Sequence, residues 1–229
     1  MVLSKKLYDD EKLQLELMDK VSYEFKDSLN SIIGFSEIVK NRCKNHEQIG
    51  LISNILTSSE RLLTFINNIS DFSNFVSDNY QKVHRIFSIK ALSYEVLSSF
   101  DSMIKKKSID LKAELEDLKI NNDYKIISQV LYSIFDHIIK IAPQNGIIFT
   151  NICKIEEGIL YEIKTNSLVP FSSEKNEEIS EFLENKDNLC ANLDFYLVKK
   201  LLDVIDSKMF LCKDNNDFAS IKLYIKNES

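Results

Sequence analysis

Apolar residues recur at three- and four-residue steps from Met18 onward: Met18, Val21, Phe25, Ile32, Phe35 and Val39, with Ser28 as one polar interruption. This is the a/d seam of a helical heptad, and Leu15, Leu29 and Ile33 widen it. A second run, from Ile49 through Ile52, Ile55, Leu56, Leu62, Leu63, Ile66, Ile69 and Phe72 to Phe75, has the same period. Its apolar face is broader than one helical partner requires. Between the runs, Asn41 to Gln48 is short and polar. The pattern predicts two long antiparallel helices. Two such helices alone leave apolar surface uncovered. Pairing two hairpins into a four-helix bundle covers it, so a homodimer is expected; the alternative is that the hairpin packs on the rest of its own chain.

After a linker near Ser77 to Val83 the periods shorten and mix. Arg85 to Ile89 predicts a short strand, and Lys90 to Lys107 a helix through Leu92, Val96, Leu97, Phe100 and Ile104. Asp123 to Ala142 predicts a helix with Asp123 as N-cap and Pro143 just past its end. Gly146 to Lys154 and Gly158 to Lys164 predict a hairpin around Glu156 and Glu157. The acidic stretch Leu168 to Ala191 carries a short helix candidate over Glu177 to Leu183, and Leu193 to Ile205 predicts another apolar helix. Met209 to Cys212 and Ala219 to Ile225 predict a closing hairpin. The chain therefore reads as α+β: a helical hairpin over 1–78, then an α/β sandwich over 83–227 with helices on one face of a mixed sheet.

Composition narrows the chemistry. The 229 residues are 44% hydrophobic and 28% charged, as in an ordinary globular protein. The net charge is −6 and no stretch collects Lys and Arg, so neither a nucleic-acid partner nor membrane insertion is expected. The four glycines (Gly34, Gly50, Gly146, Gly158) are scattered, which excludes glycine-rich phosphate cradles. Cys43, Cys153, Cys190 and Cys212 form no CxxC pair and read as free thiols, and His46, His84 and His137 are isolated, so no metal site is expected. With no signal-peptide or spanning-length apolar run, the expected location is the cytoplasm.

Three segments carry a family resemblance. Ser22-Tyr23-Glu24-Phe25-Lys26-Asp27-Ser28-Leu29, followed by Asn30-Ser31-Ile32-Ile33-Gly34-Phe35-Ser36-Glu37, resembles the histidine-box helix of sensor histidine kinases. Ser59-Glu60-Arg61-Leu62-Leu63 through Ile69-Ser70-Asp71-Phe72-Ser73 resembles the second helix of that family's dimerisation hairpin. Gln129-Val130-Leu131 through Lys140, with Pro143, resembles the helix carrying its N box. The wording is most similar to the alphaproteobacterial cell-cycle kinases, including a pseudokinase with tyrosine at the histidine position. The resemblance implies a dimerisation hairpin followed by an ATPase-like domain.

It also shows what has been replaced. The phosphoaccepting histidine falls on Tyr23, at a heptad position that points to solvent. A phenol, with an ordinary pKa of about 10, is a poor nucleophile near neutral pH. The box proline falls on Ser28, and a polar residue one turn after the histidine on Asp27. In the N box, the magnesium-holding asparagine falls on His137 and the earlier one on Ser133; magnesium prefers hard oxygen ligands. The D-x-G motif falls on Thr165-Asn166-Ser167, and a later glycine motif on Asn192-Leu193-Asp194-Phe195. The lost glycines close off backbone approach to phosphates. Asp194 adds repulsion of roughly 4 kcal/mol for a charge about 4 Å away at an effective dielectric near 20. No nucleotide cofactor is expected.

These readings favour a pseudo-histidine kinase acting as a dimeric adaptor. Its hairpin would bind a response-regulator receiver domain along Tyr23, Glu24, Asp27 and Asn30. The dimer seam would comprise Met18, Val21, Phe25, Ile32, Phe35, Ile66 and Ile69, shared with a second copy or with a related histidine kinase. No sensor domain is expected ahead of the hairpin. One alternative is a histidine phosphotransferase whose catalytic-like domain no longer binds ATP, with His46 or His84 as weak candidate acceptors. The other is a divergent but active kinase.

Overall fold

The structure, a computed structural model, describes residues 2–76, 80–166, 177–179, 193–213 and 218–228. The chain divides into two compact units, Met1–Tyr80 and Gln81–Ser229.

The first unit is the expected hairpin. Helix α1 spans Val2–Arg42 and α2 spans His46–Val76. Asn45 starts α2: its side-chain oxygen accepts from the backbone N–H of Glu47 (2.9 Å) and of Gln48 (3.4 Å), satisfying donors that the first helical turn leaves open. The two helices meet along a heptad. On α1 the covered positions are Ser22, Lys26, Leu29, Ile33, Ser36 and Lys40; on α2 they are Ile52, Leu56, Ser59, Leu63, Ile66, Ser70 and Ser73. Leu29, Leu56 and Ile66 are the buried apolar members. Within one hairpin the seam is thus shifted by one residue from the stripe that apolar spacing alone selects.

The second unit opens with strand β1 (His84–Ser88), then α3 (Ile89–Ser98) and α4 (Asp101–Lys107). The single helix expected over Lys90 to Lys107 is therefore two. The break falls at Ser99 and Phe100, and buried Phe100 packs its ring 5.0 Å from that of Tyr132. Ser108 in the left-handed region (φ 52°) ends α4. Two strands follow that the periodicity does not show, β2 (Asp110–Leu115) and β3 (Lys119–Asp123). Helix α5 (Tyr124–Ile141) starts as expected, with the Asp123 carboxylate accepting from Lys125 N–H (3.0 Å) and Ile126 N–H (3.2 Å). Its far end is held by Lys107, whose Nζ donates to the carbonyls of Ile139 (3.0 Å), Lys140 (2.6 Å) and Ala142 (2.8 Å). That cation satisfies carbonyls a helix terminus leaves open and complements the helix dipole.

Strands β4 (Ile147–Ile155) and β5 (Gly158–Thr165) form the expected hairpin. Glu177–Glu178 is a short strand, β6, at the start of the helix candidate; the rest of that acidic stretch, apart from Ile179, lies outside the described residues. Helix α6 (Leu193–Val204) and strands β7 (Lys208–Lys213) and β8 (Ala219–Lys226) complete the unit. The six-stranded sheet runs β2-β4-β5-β8-β7-β6, parallel only at β2–β4, and β1 and β3 form a separate antiparallel ribbon. Period-2 alternation buries Ile148, Thr150 and Ile152 beside Thr165, Ile163 and Tyr161, and these beside Ala219, Ile221 and Leu223. Helix α5 touches both α3 and α6, and its fully buried Ile126, Ile127, Val130, Leu131, Ile134 and Ile138 fill the core. Gly158 is required by close backbone approach: a Cβ there would stand 2.1 Å from the carbonyl oxygen of Ile225.

Candidate functional site

The hairpin presents two faces of opposite character. Val21, Phe25, Ile32, Phe35 and Val39 each stand one position before a seam residue of α1; Leu51, Ile55 and Leu62 each stand one before a seam residue of α2. All are about half exposed or more, up to 69% at Phe35. One residue back along a helix is a turn of about 100°. Because the helices run antiparallel, that turn carries both sets to the same side. The hairpin therefore has one continuous apolar face. Ile66 belongs to the seam inside the hairpin, so the single chain already buries it. Met18 and Ile69 fall on positions whose side chains lie outside the described residues.

Tyr23, Asp27 and Asn30 each follow a seam residue by one, so they share the opposite side, in line with Glu37. Tyr23 is 68% exposed, and Glu24, Asp27 and Asn30 are exposed with it. Ser28 Oγ donates to the Glu24 carbonyl (3.1 Å) and Ser31 Oγ to that of Asp27 (3.0 Å), so these hydroxyls are satisfied within the helix. The stripe offers a phenol, two carboxylates and an amide.

In the second unit, α5 puts Ser133 and His137 one turn apart on one face. Ser133 is buried; the half-buried His137 ring packs against the buried Phe195 of α6, centroids 4.8 Å apart and planes tilted by 57°. Helix α5 and the first turn of α6 thus meet through two rings. Asp136 is buried on the same helix and paired with Lys140 at 2.6 Å. Burial, and next to it the Asp136 charge, push the Tyr132 phenol above its ordinary value. Thr165 is buried at the end of β5. Asn166 Oδ1 accepts from Ile147 N–H at 2.8 Å, so this amide ties β4 to the strand end. Ser167 and Asn192 lie outside the described residues, as does the side chain of Asp194. A cavity of about 320 Å³ lies elsewhere, lined by Asp117 to Ile120, Lys154 to Ile159 and Asn227.

His46 is exposed at the first position of α2. His84 opens β1, with Nδ1 3.3 Å from Glu228 Oε2. Sequence reasoning missed Glu228 and the second role of Asp123, whose Oδ2 accepts from Val83 N–H at 2.9 Å. Both are long-range pairings for which a linear pattern carries no signal.

Comparison with known proteins places this geometry. No known protein-family profile matches the chain. The autoinducer 2 sensor kinase/phosphatase LuxQ of Vibrio vulnificus is 21% identical over 231 residues, covering 92% of this chain and 26% of the relative. The non-motile and phage-resistance protein of Caulobacter vibrioides is 25% identical over 140 residues, covering 59% of this chain. The chain is homologous to sensor histidine kinases. It spans about a quarter of the length of LuxQ, 26%. Full-length ShkA in complex with AMPPNP has the same fold, with a TM-score of 0.69 at 16% identity over 93% of this chain and 47% of that one. Histidine kinase ThkA in complex with response regulator protein TrrA gives 0.66 at 20% identity over 99% of this chain and 66% of that one. The two units of this histidine-kinase-like chain correspond to the dimerisation and ATPase domains of such kinases. No described helix is long and apolar enough to cross a membrane.

Proposed function

We propose that this histidine-kinase-like protein is a two-component pseudokinase: a cytoplasmic dimeric adaptor that binds a response-regulator receiver domain without passing it phosphate from ATP. One observation carries the reading. Tyr23, which the sequence resemblance sets at the phosphoacceptor position, is exposed on a polar stripe opposite the hairpin's apolar face. A second copy, or a related kinase, covers the apolar face. Tyr23, Glu24, Asp27 and Asn30 then stay open to a receiver. That one solved relative is a histidine kinase in complex with a response regulator supports a receiver as the partner class.

The second unit then acts as a scaffold. His137 packed against Phe195 supports loss of the magnesium ligand, because an imidazole engaged with a buried ring is turned to packing. A phosphotransferase needs a histidine at the level of Tyr23. His46 lies beyond the end of α1, about 30 Å along the helix at 1.5 Å per residue, and His84 is engaged with Glu228.

The test is a calorimetric titration with Mg-ADP and a non-hydrolysable ATP analogue to millimolar ligand, together with incubation with a phosphorylated receiver. Neither nucleotide heat nor label on this chain is expected, while the receiver is retained on immobilised protein. Clear nucleotide binding overturns the pseudokinase reading. Label on a histidine restores the phosphotransferase.

A further inference from the structure

The last described residues of the chain are stitched to β3 and reach the first residues of the second unit. Asn122 Nδ2 donates to the Lys226 carbonyl (2.7 Å), Asn121 N–H to Asn227 Oδ1 (2.7 Å), Glu228 N–H to the Asn121 carbonyl (2.9 Å), and Asn121 Nδ2 to the Glu228 carbonyl (3.0 Å). The backbone beyond β8 thus leaves the main sheet and runs along the free edge of β3. There its final described side chain turns toward the entering chain. Glu228 Oε2 stands 3.3 Å from His84 Nδ1, and Glu228 Oε1 stands 4.0 Å from Lys82 Nζ. Between them, Val83 N–H donates to Asp123 Oδ2. The other oxygen of Asp123 caps α5, the helix bearing Ser133 and His137. Lys82, Val83 and His84 are therefore gripped by two carboxylates, one of which also fixes the start of α5.

We infer that Glu228 closes a clasp on the segment Lys82–His84, and that this clasp opens without unfolding the unit. Two features make it separable. First, Glu228 Oε1 is buried yet has no hydrogen bond among the described residues, since Lys82 stops at 4.0 Å. Opening lets water reach that oxygen, so the closed form is not over-determined. Second, the Glu228 side of the grip is electrostatic and partly exposed, with Lys82 at 35%, His84 at 36% and Glu228 at 22%, whereas Asp123 and the apolar core of the unit are buried. Opening frees about three residues, which at about 3.3–3.6 Å each lengthens the connection to the hairpin by roughly 10 Å. The clasp is thus a device that sets how much slack joins the two units, and it stands independently of the adaptor reading.

The test uses the full chain and reads amide exchange at Val83, with tryptic cleavage after Lys82 as a second readout. In Glu228→Ala the Val83 amide should exchange at least tenfold faster and cleavage should accelerate by a similar factor, with the amides of Val130 and Ile163 unchanged. Glu228→Lys should do the same, and adding Lys82→Glu to it should slow Val83 exchange again, the one readout that applies to this pair because the substitution removes the tryptic site. Unchanged Val83 exchange in Glu228→Ala overturns the proposal. So does faster exchange at Val130 and Ile163 in every variant, because Glu228 would then belong to the global fold.

Discussion

The imidazole of His137 and the ring of Phe195 lie 4.8 Å apart, joining α5 to the first turn of α6. The sequence resemblance sets His137 at the magnesium-holding position of the N box and Phe195 at the last, variable position of a glycine motif. Here they are packing partners, and Phe195 is buried. A side chain in that setting has a stability role that a solvent-facing ligand lacks. His137→Ala should lower the stability of the second unit by about 1–2 kcal/mol, read from the urea midpoint. A change within about 0.5 kcal/mol would mean that the ring contact contributes nothing. His137→Asn alone should not confer Mg-nucleotide binding by calorimetry, because Ser167, Asn192 and Asp194 still stand where the resemblance sets glycines, and Thr165 where it sets an aspartate.

The seam of the hairpin and its outward apolar face carry different predictions, the first for stability and the second for the proposed dimer. Leu29 is buried in the seam between α1 and α2. Leu29→Ala should cost about 2–4 kcal/mol by the usual loss of transfer energy plus a cavity, seen as a lower melting temperature of the helical signal. Phe35 faces outward at 69% exposure. Phe35→Asp should instead halve the mass measured by light scattering while the single-chain hairpin contacts stay intact. An unchanged mass counts against the dimer.

This division also shows what the sequence could and could not disclose. The hairpin, the Asp123 cap and the strand pairs β4–β5 and β7–β8 follow from local periods and local capping, and all are present. The phase of the hairpin seam was not legible. Ser22, Lys26, Ser36, Ser59 and Ser73 occupy it, and small or long-stemmed polar residues conceal a packing stripe from a count of apolar ones. Strands β2 and β3 were invisible for another reason. Lys119 to Asp123 is mostly polar and becomes a strand by pairing with β1 some 35 residues earlier, from His84 opposite Asp123 to Ser88 opposite Lys119. Asp110 to Leu115 joins the sheet through a parallel partner beyond an entire helix. At the candidate site, the exposure of Tyr23 followed from its heptad position, whereas the His137–Phe195 contact depended on tertiary packing.

Lys107 illustrates a stabilising role for one charge far from any site. Its ammonium group serves three carbonyls at the end of α5. Lys107→Met keeps most of the stem and removes the donor. It should cost about 1–3 kcal/mol, because partly buried carbonyls lose their partner, and the loss should appear in the urea midpoint of the second unit.

Alkaline pH should expose another dependence. Burial pushes the Tyr161 phenol above its ordinary value of 10.0, with the Ser93 and Thr150 hydroxyls offsetting part of the effect. The unfolded chain therefore releases this proton at lower pH than the native one. Native stability is complete below about pH 10 and falls as pH rises beyond it, since the unfolded state then binds fewer protons. Tyr124 and Tyr132, both also raised, add to the same slope. Tyr161→Phe should flatten the fall of the urea midpoint above pH 10, though it loses a hydroxyl in the core. An equally steep fall in that variant would assign the alkaline loss to other groups.

The polar stripe yields the prediction closest to function. Tyr23, Asp27 and Asn30 follow one side of α1, and the apolar face lies on the other. A receiver domain docking on the stripe meets a phenol that cannot act as an imidazole, flanked by the carboxylates of Glu24 and Asp27. Replacing Asp27 by Lys reverses one charge without touching a seam residue. Tyr23→Ala removes an exposed ring and so leaves the helix packing intact. Each should weaken receiver retention at least tenfold, about 1.4 kcal/mol, while mass and helicity remain as in the parent. Tyr23→His tests the chemistry at the same place. It should preserve retention, because an imidazole fills much of the same volume, and on the pseudokinase proposal it should still gain no phosphate from ATP. Label from Mg-ATP on Tyr23→His would mean that the ATPase-like unit is competent and that Tyr23 alone silences the chain. Loss of retention in Phe35→Asp but not in Asp27→Lys would place the receiver on the apolar face instead.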